Sequence, residues 1–487
     1  MNEVRFSILA HARKTDPELF REMLQSIYEL DYMNFEFIVF DSNPVSILSA
    51  MISEIFGGDG RVVYKKMTHE LRNSESYNVG LRMMSGDYLC IIGQYDCVAS
   101  DWLIRMEKAC ISTLIPGKRD LNFDDLTRAA SGGRLRQWKL TAPDLIYTDY
   151  DEIIDGTRMH PHFLGAFNPE LLIQYDYIGS GMAISMELLR LLRFFDEALE
   201  VGEMFEYKLR MLEFYRKCAD QRFPSHNFPI AHCQGLLYHK RIRDIGIDKK
   251  RTYDNERYDI ETSLIKKYLE RNHISGSLAN DRNYKIHPIK RKGSDYFTKK
   301  KDYIVLKDKN VRVQGQERAL ARMYGHMKQW DVAVVGGKFV EGADIVNCGY
   351  IYDSDGIIYP VCSGQRASQD GYEYRISLPQ DVSMVDPGFC MMDATVYKKL
   401  GGMRSGMLKR DAMLEYCLRV RQAGYRVIYD PGVVVHVNDI KPESSEQSHN
   451  ILMSIYGPEG TSNKIRIEDG DPFYNQYLPI GVENYVL

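Results

Sequence analysis

Asp87-Tyr88-Leu89-Cys90-Ile91-Ile92-Gly93-Gln94-Tyr95-Asp96 reads as an apolar strand running into a short polar tip, and a helix opens just beyond it at Ser100-Asp101-Trp102. Acidic residues at the end of such a strand can hold a divalent cation, because carboxylate oxygens are hard ligands and the cation keeps positions for phosphate and water. This tip carries one carboxylate, Asp96, where that chemistry usually has two.

Working outward, Val4-Arg5-Phe6-Ser7-Ile8-Leu9 is a strand, and Asp16-Pro17 supplies an N-cap followed by proline at the first helical position. Leu19, Phe20, Met23, Leu24 and Ile27 recur at spacings of three and four, which is one apolar helix face. Phe35 to Phe40 is a second strand ending in Asp41, Val62-Val63-Tyr64 a third, and Ser74 to Met84 a helix leading to the strand at Tyr88. Strand and helix alternating at this spacing predict an α/β fold built on a mostly parallel sheet, with ligands beyond the carboxyl ends of the strands. Ala10, His11, Asp41 and Asp96 all fall there.

Composition narrows the class. Among 487 residues, 63 basic and 67 acidic side chains leave a net charge of -4, so no overall field draws the chain to nucleic acid. Nine cysteines are scattered without close pairs, which predicts neither a zinc cluster nor a disulfide framework and fits a reducing, cytoplasmic setting. No leader precedes the first strand, and no apolar run approaches the roughly 20 residues that a membrane-spanning helix needs. The basic run Lys290 to Lys301 reads as a solvated linker or a peripheral membrane contact.

Several stretches between Ser7 and Arg241 resemble, in order, family 2 glycosyltransferases of the GT-A fold, the inverting type that uses nucleotide-sugar donors. They include Ser7 to Arg13, Asn34 to Asp41, Tyr77-Asn78-Val79-Gly80-Leu81 and Ser85 to Leu89. Asp144 to Asp151, Asn168 to Leu172, Tyr177 to Gly181 and Leu237-Tyr238-His239-Lys240-Arg241 follow. The resemblance implies a GT-A domain over residues 1–265 with an insertion at 115–142, read as a lid or as disorder. A basic linker would follow at 266–301, then a smaller, truncated GT-A-like module at 302–440 and a tail at 441–487. The second module enters at the acidic-tip strand, skips the first three strands, and has Asn310 and Met413 in the metal and base positions.

The resemblance also assigns roles. Ala10, His11, Asp41 and Arg72 would bind the nucleotide, of uridine or thymidine type because a carboxylate accepts the one imide N–H of such a base. Asp41 also suits an Asx turn, and Arg72 a surface arginine. Asp96 with His239 would hold Mn2+ or Mg2+, and without a metal Arg72, Lys240 or Arg241 would neutralise the leaving diphosphate. The general base would sit at Met204, which cannot accept a proton, leaving neighbouring Glu203 or the acidic stretch containing Asp149 and Asp151. Two readings stand. One is an active transferase acting on a glycan or lipid-linked acceptor in surface polysaccharide synthesis. The other is a catalytically silent protein that binds glycan or supports a partner.

Overall fold

The computed structural model describes residues 4–45, 47–112, 142–199, 201–218, 228–279, 285–293, 303–438, 445–462 and 465–480. The insertion expected at 115–142 lies almost wholly outside them. The first sheet holds β1 (Phe6–Ala12), β2 (Phe35–Asp41), β3 (Val62–Lys66), β4 (Tyr88–Ile92), β5 (Cys97–Val98), β6 (Leu145–Ile154), β7 (Thr157–His162), β8 (Met182–Ser185) and β9 (Ile230–Arg241). Its order is β3-β2-β1-β4-β8-β6-β9-β5, with β7 beside β6. The β1–β4 half is parallel, as the alternation predicts. The other half is mixed, because β8 runs antiparallel between β4 and β6.

The helices of this module are α1 (Pro17–Tyr28), α2 (Leu48–Phe56), α3 (Asn73–Leu81), α4 (Trp102–Ser112), α5 (Pro169–Leu172), α6 (Met186–Leu191), α7 (Glu203–Cys218) and α8 (Ile247–Arg271). The Asp16 carboxylate accepts from the amides of Glu18 and Leu19 at the start of α1, and Phe20, Met23, Leu24 and Ile27 form its buried face. The 3.6-residue period alone places that stripe against the sheet.

A hairpin, β10 (Gly276–Leu278) with β11 (Ile289–Arg291), leads to the second module. Its strands are β12 (Tyr303–Lys307), β13 (Arg312–Val313), β14 (Val332–Glu341), β15 (Asp344–Asn347), β16 (Tyr350–Tyr352), β17 (Ile358–Pro360), β18 (Gln380–Asp381), β19 (Phe389–Asp393) and β20 (Arg426–His436). Its helices are α9 (Gln316–Met327), α10 (Ala394–Lys399), α11 (Lys409–Gln422) and α12 (Glu446–Tyr456). The main sheet runs β12-β19-β14-β20-β13, with β15 beside β14. This is the order β4-β8-β6-β9-β5, with β7 beside β6, repeated strand for strand and in the same relative directions.

A side-chain clamp repeats as well. Arg210 bonds Glu206 and the carbonyls of Leu192 and Phe194. Arg419 bonds Glu415 and the carbonyls of Leu400 and Gly402. Each arginine also lies over the tyrosine three residues before it.

Two expected boundaries differ from the structure. Residues 266–301 do not begin a solvated linker: α8 continues through 265 to Arg271, and Arg291 is buried against Glu170 at 2.5 Å. Nor do the described residues within 441–487 form a free tail, since α12 packs on α11 and Asn475 is fully buried against the first module. Apolar and paired polar groups, invisible to a charge count, draw both segments in.

Between the modules lies a buried ionic cluster. Glu170 meets Arg291 and, at 3.6 Å, Arg426, whose guanidinium also bonds Asp331 (2.9 Å) and Asp381 (3.1 Å). Asp430 takes His326 (2.9 Å) and Arg322 (2.7 Å). Burial pushes the Glu170 carboxyl up, but Arg291, His326 and Arg426 outweigh it and bring it down to about 2. A depressed carboxylate adds stability above its unfolded value and loses it as pH falls through the folded one. Acid titration of stability should therefore steepen between about 4.5 and 2, and Glu170→Gln should flatten that window. Arg426→Ala leaves three buried carboxylates short of a partner and should cost about 3–5 kcal/mol in chemical denaturation.

Candidate functional site

Strand alternation decides which predicted residues can meet a ligand, since successive side chains on a strand face opposite sides. A cavity of about 1210 Å³ opens beyond β4 and along one face of β6 and β9. Tyr150 and Glu152 of β6, and Tyr238 and Lys240 of β9, face it. Asp149, Asp151 and His239 therefore face away.

Their partners agree. Asp149 is fully buried and accepts from the Leu164 amide (2.8 Å), His232 (2.8 Å), the Gly235 amide (2.7 Å) and both-sided contacts from Asn475 (3.0 and 2.9 Å). Asp151 pairs with His239 Nδ1 and Arg158, each at 2.7 Å. Burial raises the Asp151 carboxyl, yet His239 and Arg158 together hold it below its ordinary value. The assignment of Asp149 and Asp151 to catalysis meets this obstacle: both are spent on holding β6 to its neighbours.

The metal pair meets a second one. Asp96 accepts from the Tyr238 hydroxyl (2.6 Å) and the Arg241 amide (2.9 Å), while His239 lies on the other face with Asp151. Asp96 and His239 do not converge, so they do not fit a shared cation. Among the described residues no group of three or more His, Cys, Asp or Glu side chains could hold a metal ion. Gly93, where the strand gives way to the tip, is glycine for a visible reason. A Cβ there would stand 2.3 Å from the Asp96 carboxylate.

Tyr95, beside Asp96 at the tip, is buried and pins the β1–α1 loop. Its hydroxyl accepts from the Asp16 amide (2.9 Å) and donates to the Lys14 carbonyl (3.2 Å). Gln94 accepts from the Arg13 amide (3.0 Å) and the Thr15 hydroxyl (2.8 Å).

The nucleotide candidates scatter. Asp41 is fully buried, accepting from the amide and side chain of Asn43 (2.9 and 2.8 Å) and the Tyr64 hydroxyl (2.7 Å). This is the Asx turn. Ala10 lies within β1, paired to Val39 and Ile92, rather than at a tip. Arg72 precedes α3, exposed, and donates to the Glu197 carbonyl at 3.3 Å. His11 bonds Ser42 at 2.9 Å and burial lowers its pKa, so at neutral pH it packs as a neutral ring. Of the cations considered for the diphosphate, Lys240 lines the cavity, whereas Arg241 is engaged with Glu22 and the Tyr95 carbonyl.

Glu203 does reach the cavity. It opens α7 with 7% of its surface exposed, beside Met204 and facing Asn73 and Tyr77 of α3 and Tyr253 of α8. Burial raises its pKa, while its own backbone amide, Asn73 and Lys208 pull the other way. Lys208, buried one turn further on, holds Asp176 at 2.5 Å on the cavity wall.

Sequence reading missed the far wall, which comes from the second module: Gln365 and residues 369–374. Glu373 and Tyr374 carry positive φ angles of 49° and 57°, a strained state of order 1–3 kcal/mol each for non-glycine residues. The two modules meet here through His162 and Glu373 (2.5 Å) and through the Tyr372 hydroxyl, which donates to the Pro161 carbonyl (2.8 Å). No local pattern marks such a segment; only the order of the strands brings it to β7.

With this geometry in view, residues 8–154 match the family described as glycosyl transferase family 2. That stretch carries the pattern of a family 2 glycosyltransferase domain. An uncharacterized protein, y4gI, of Sinorhizobium fredii (strain NBRC 101917 / NGR234) is 22% identical over 211 residues, 42% of this chain. The chain spans 20% of that relative's length. Among solved structures, Staphylococcus aureus TarS 1-349 in complex with UDP-GlcNAc is 14% identical, covering 54% of this chain and 66% of that one, with a TM-score of 0.37. The mannosyltransferase PcManGT from Pyrobaculum calidifontis, in complex with GDP-Man and Mn2+, is 14% identical over 56% of this chain and 66% of that one, with a TM-score of 0.33. Among the described residues, no helix is long and apolar enough to cross a membrane.

Replacing Asn475 by Ala withdraws two contacts from the buried Asp149 carboxylate. The expected loss is about 1–3 kcal/mol of unfolding free energy. Unchanged stability would mean that the C-terminal segment does not anchor β6.

Proposed function

We propose that this chain is an inverting glycosyltransferase that moves a sugar from a nucleotide-diphosphate donor to a glycan hydroxyl in the cavity between the modules. The observation that carries the reading is Glu203: a buried carboxylate of raised pKa, at the first turn of a helix, facing that cavity. In the reaction, Glu203 takes the proton of the acceptor hydroxyl as its oxygen attacks the anomeric carbon. The bond from that carbon to the diphosphate breaks on the opposite side, and Lys240 faces the charge released. Backbone amides and cations aimed at developing charge lower such barriers without needing to reorganise. No step here passes through a metal, because the Asp96 and His239 side chains serve other partners.

A second reading, a silent glycan-binding protein, is favoured by the β1–α1 loop. Gln94, Tyr95 and Asn43 close that loop with their own hydrogen bonds, and the Asp41 carboxylate is already filled. A donor panel monitored by nucleotide release separates the two. Under the transferase reading, Glu203→Gln cuts turnover about 10²–10⁴-fold, the usual share of general-base assistance, with donor affinity retained. A base must be unprotonated to act, so the acidic limb of kcat/KM should lie above the ordinary glutamate value. Asn73 lowers the Glu203 pKa, so Asn73→Ala should move that limb to higher pH. Wild-type chain that releases no nucleotide from any donor in the panel would favour the silent reading.

A further inference from the structure

The second module contributes a wall to the cavity that the transfer chemistry does not use. Tyr372, Glu373 and Tyr374 join Tyr150, His162 and Tyr175 of the first module in one wall of it. The Tyr150 and His162 rings are stacked at 4.3 Å with 10° between their planes, and the Tyr175 and Tyr374 rings meet edge to face at 4.8 Å. Flat rings lying beside oriented polar groups suit a sugar, which offers an apolar C–H face and a rim of hydroxyls. Glu373 gives one carboxylate oxygen to His162, and its other oxygen is buried with no hydrogen-bond partner. A buried acceptor left unpaired costs free energy, and a ligand hydroxyl that parts the side chains around it would remove that cost. Both Glu373 and Tyr374 are held at positive φ, so the surrounding structure maintains this presentation against the backbone's own preference. At about 1210 Å³ the cavity also exceeds what one small ligand fills.

We infer that this wall is a subsite for an outer sugar of an oligosaccharide acceptor, and that the sugar is uncharged. The charge argument is local. The wall carries Asp370 and Glu373. The Lys and Arg side chains lining the cavity, Lys240, Arg257 and Lys285, come from other elements. Arg375, the nearest in sequence, lies over the Tyr474 ring at 4.7 Å and the Tyr372 ring at 5.8 Å, behind the wall rather than in the cavity lining. A uronate or phosphate placed here would meet the Asp370 and Glu373 carboxylates, whereas a neutral ring meets their oxygens, tyrosine hydroxyls and aromatic faces. The orientation, with the attacked end toward Glu203, rests on the transferase reading; the binding itself does not.

The test is binding to the full chain without nucleotide, by calorimetry or saturation-transfer NMR. The probes are cellotriose, chitotriose and maltotriose, set against the trimer of galacturonic acid. At least one neutral trimer should bind and the galacturonic trimer should bind at least tenfold more weakly. Tyr374→Gly removes the ring at a backbone angle that glycine adopts freely, which offsets part of the packing lost against Tyr175, so the chain should still fold while the neutral trimer loses at least tenfold in affinity. Glu373→Gln should weaken it several-fold. Undiminished affinity in both variants, tighter binding of the acidic trimer, or no binding by any neutral trimer overturns the proposal. Trimer binding that depends on Tyr374 in a chain releasing no nucleotide from any donor would retain the subsite and discard the transferase reading.

Discussion

The interaction on which the rest depends is the buried cluster around Arg426. One guanidinium is shared by Asp331 and Asp381 of its own module and approaches Glu170 of the other. Asn168 and Asp381 exchange two further hydrogen bonds beside it, from the Asn168 side chain to the Asp381 backbone and back. Taking these charges out of water is costly, and only near-complete pairing offsets it. The pairing requires both modules and the β10–β11 hairpin, which delivers Arg291. Hydrophobic contact between the modules would permit sliding; this cluster has one satisfactory register. That register is what sets Tyr372 to Tyr374 opposite β6 and β7, so the cavity's shape follows from a contact made outside it.

Much of the first module was legible because its signals are local. Asp16-Pro17 and the Phe20, Met23, Leu24, Ile27 stripe read directly as a capped amphipathic helix, and β1, β2 and β4 as strands, the first two buried throughout and β4 at all but Ile91. The site was less legible because side-chain direction depends on register. Asp149 and Asp151 look like a paired acidic motif, and their spacing of two does put them on one face. Which face it is depends on β6 lying between β8 and β9, a fact no local pattern contains. The period-two rule applied to the ligand side would have pointed instead to Tyr150 and Glu152.

The strand tips teach a related lesson. A single aspartate at the end of β2 has the same sequence context whether it waits for a base or closes a turn. Here Asn43, two residues on, folds back onto it, and Tyr64 from β3 takes the other oxygen. Likewise Gly93 and Tyr95 read as losses from an acidic motif. In the structure each has a positive cause: Gly93 leaves room for the Asp96 carboxylate, and Tyr95 fastens the loop that β1 feeds. Substitutions at a motif are therefore a change of employment for the backbone around it, and counting missing carboxylates undervalues that.

The repeated clamp shows where the two modules part. Tyr207, Glu206 and Arg210 correspond to Tyr416, Glu415 and Arg419, a constant offset that carries Glu203 onto Ala412 and Met204 onto Met413. Both clamps tie the helix to the chain ahead of it through paired backbone carbonyls, so the scaffold of the helix start is the same in each. What differs is the group presented there. Met413 is fully buried in the second module's core, whereas Met204 and Glu203 line an open cavity. In the second module Ala412 stands where Glu203 does in the first and Met413 turns inward, while the helix start keeps one carboxylate, Asp411, buried beside Ser448. This helix stiffens the module that holds the Tyr372–Tyr374 wall in place.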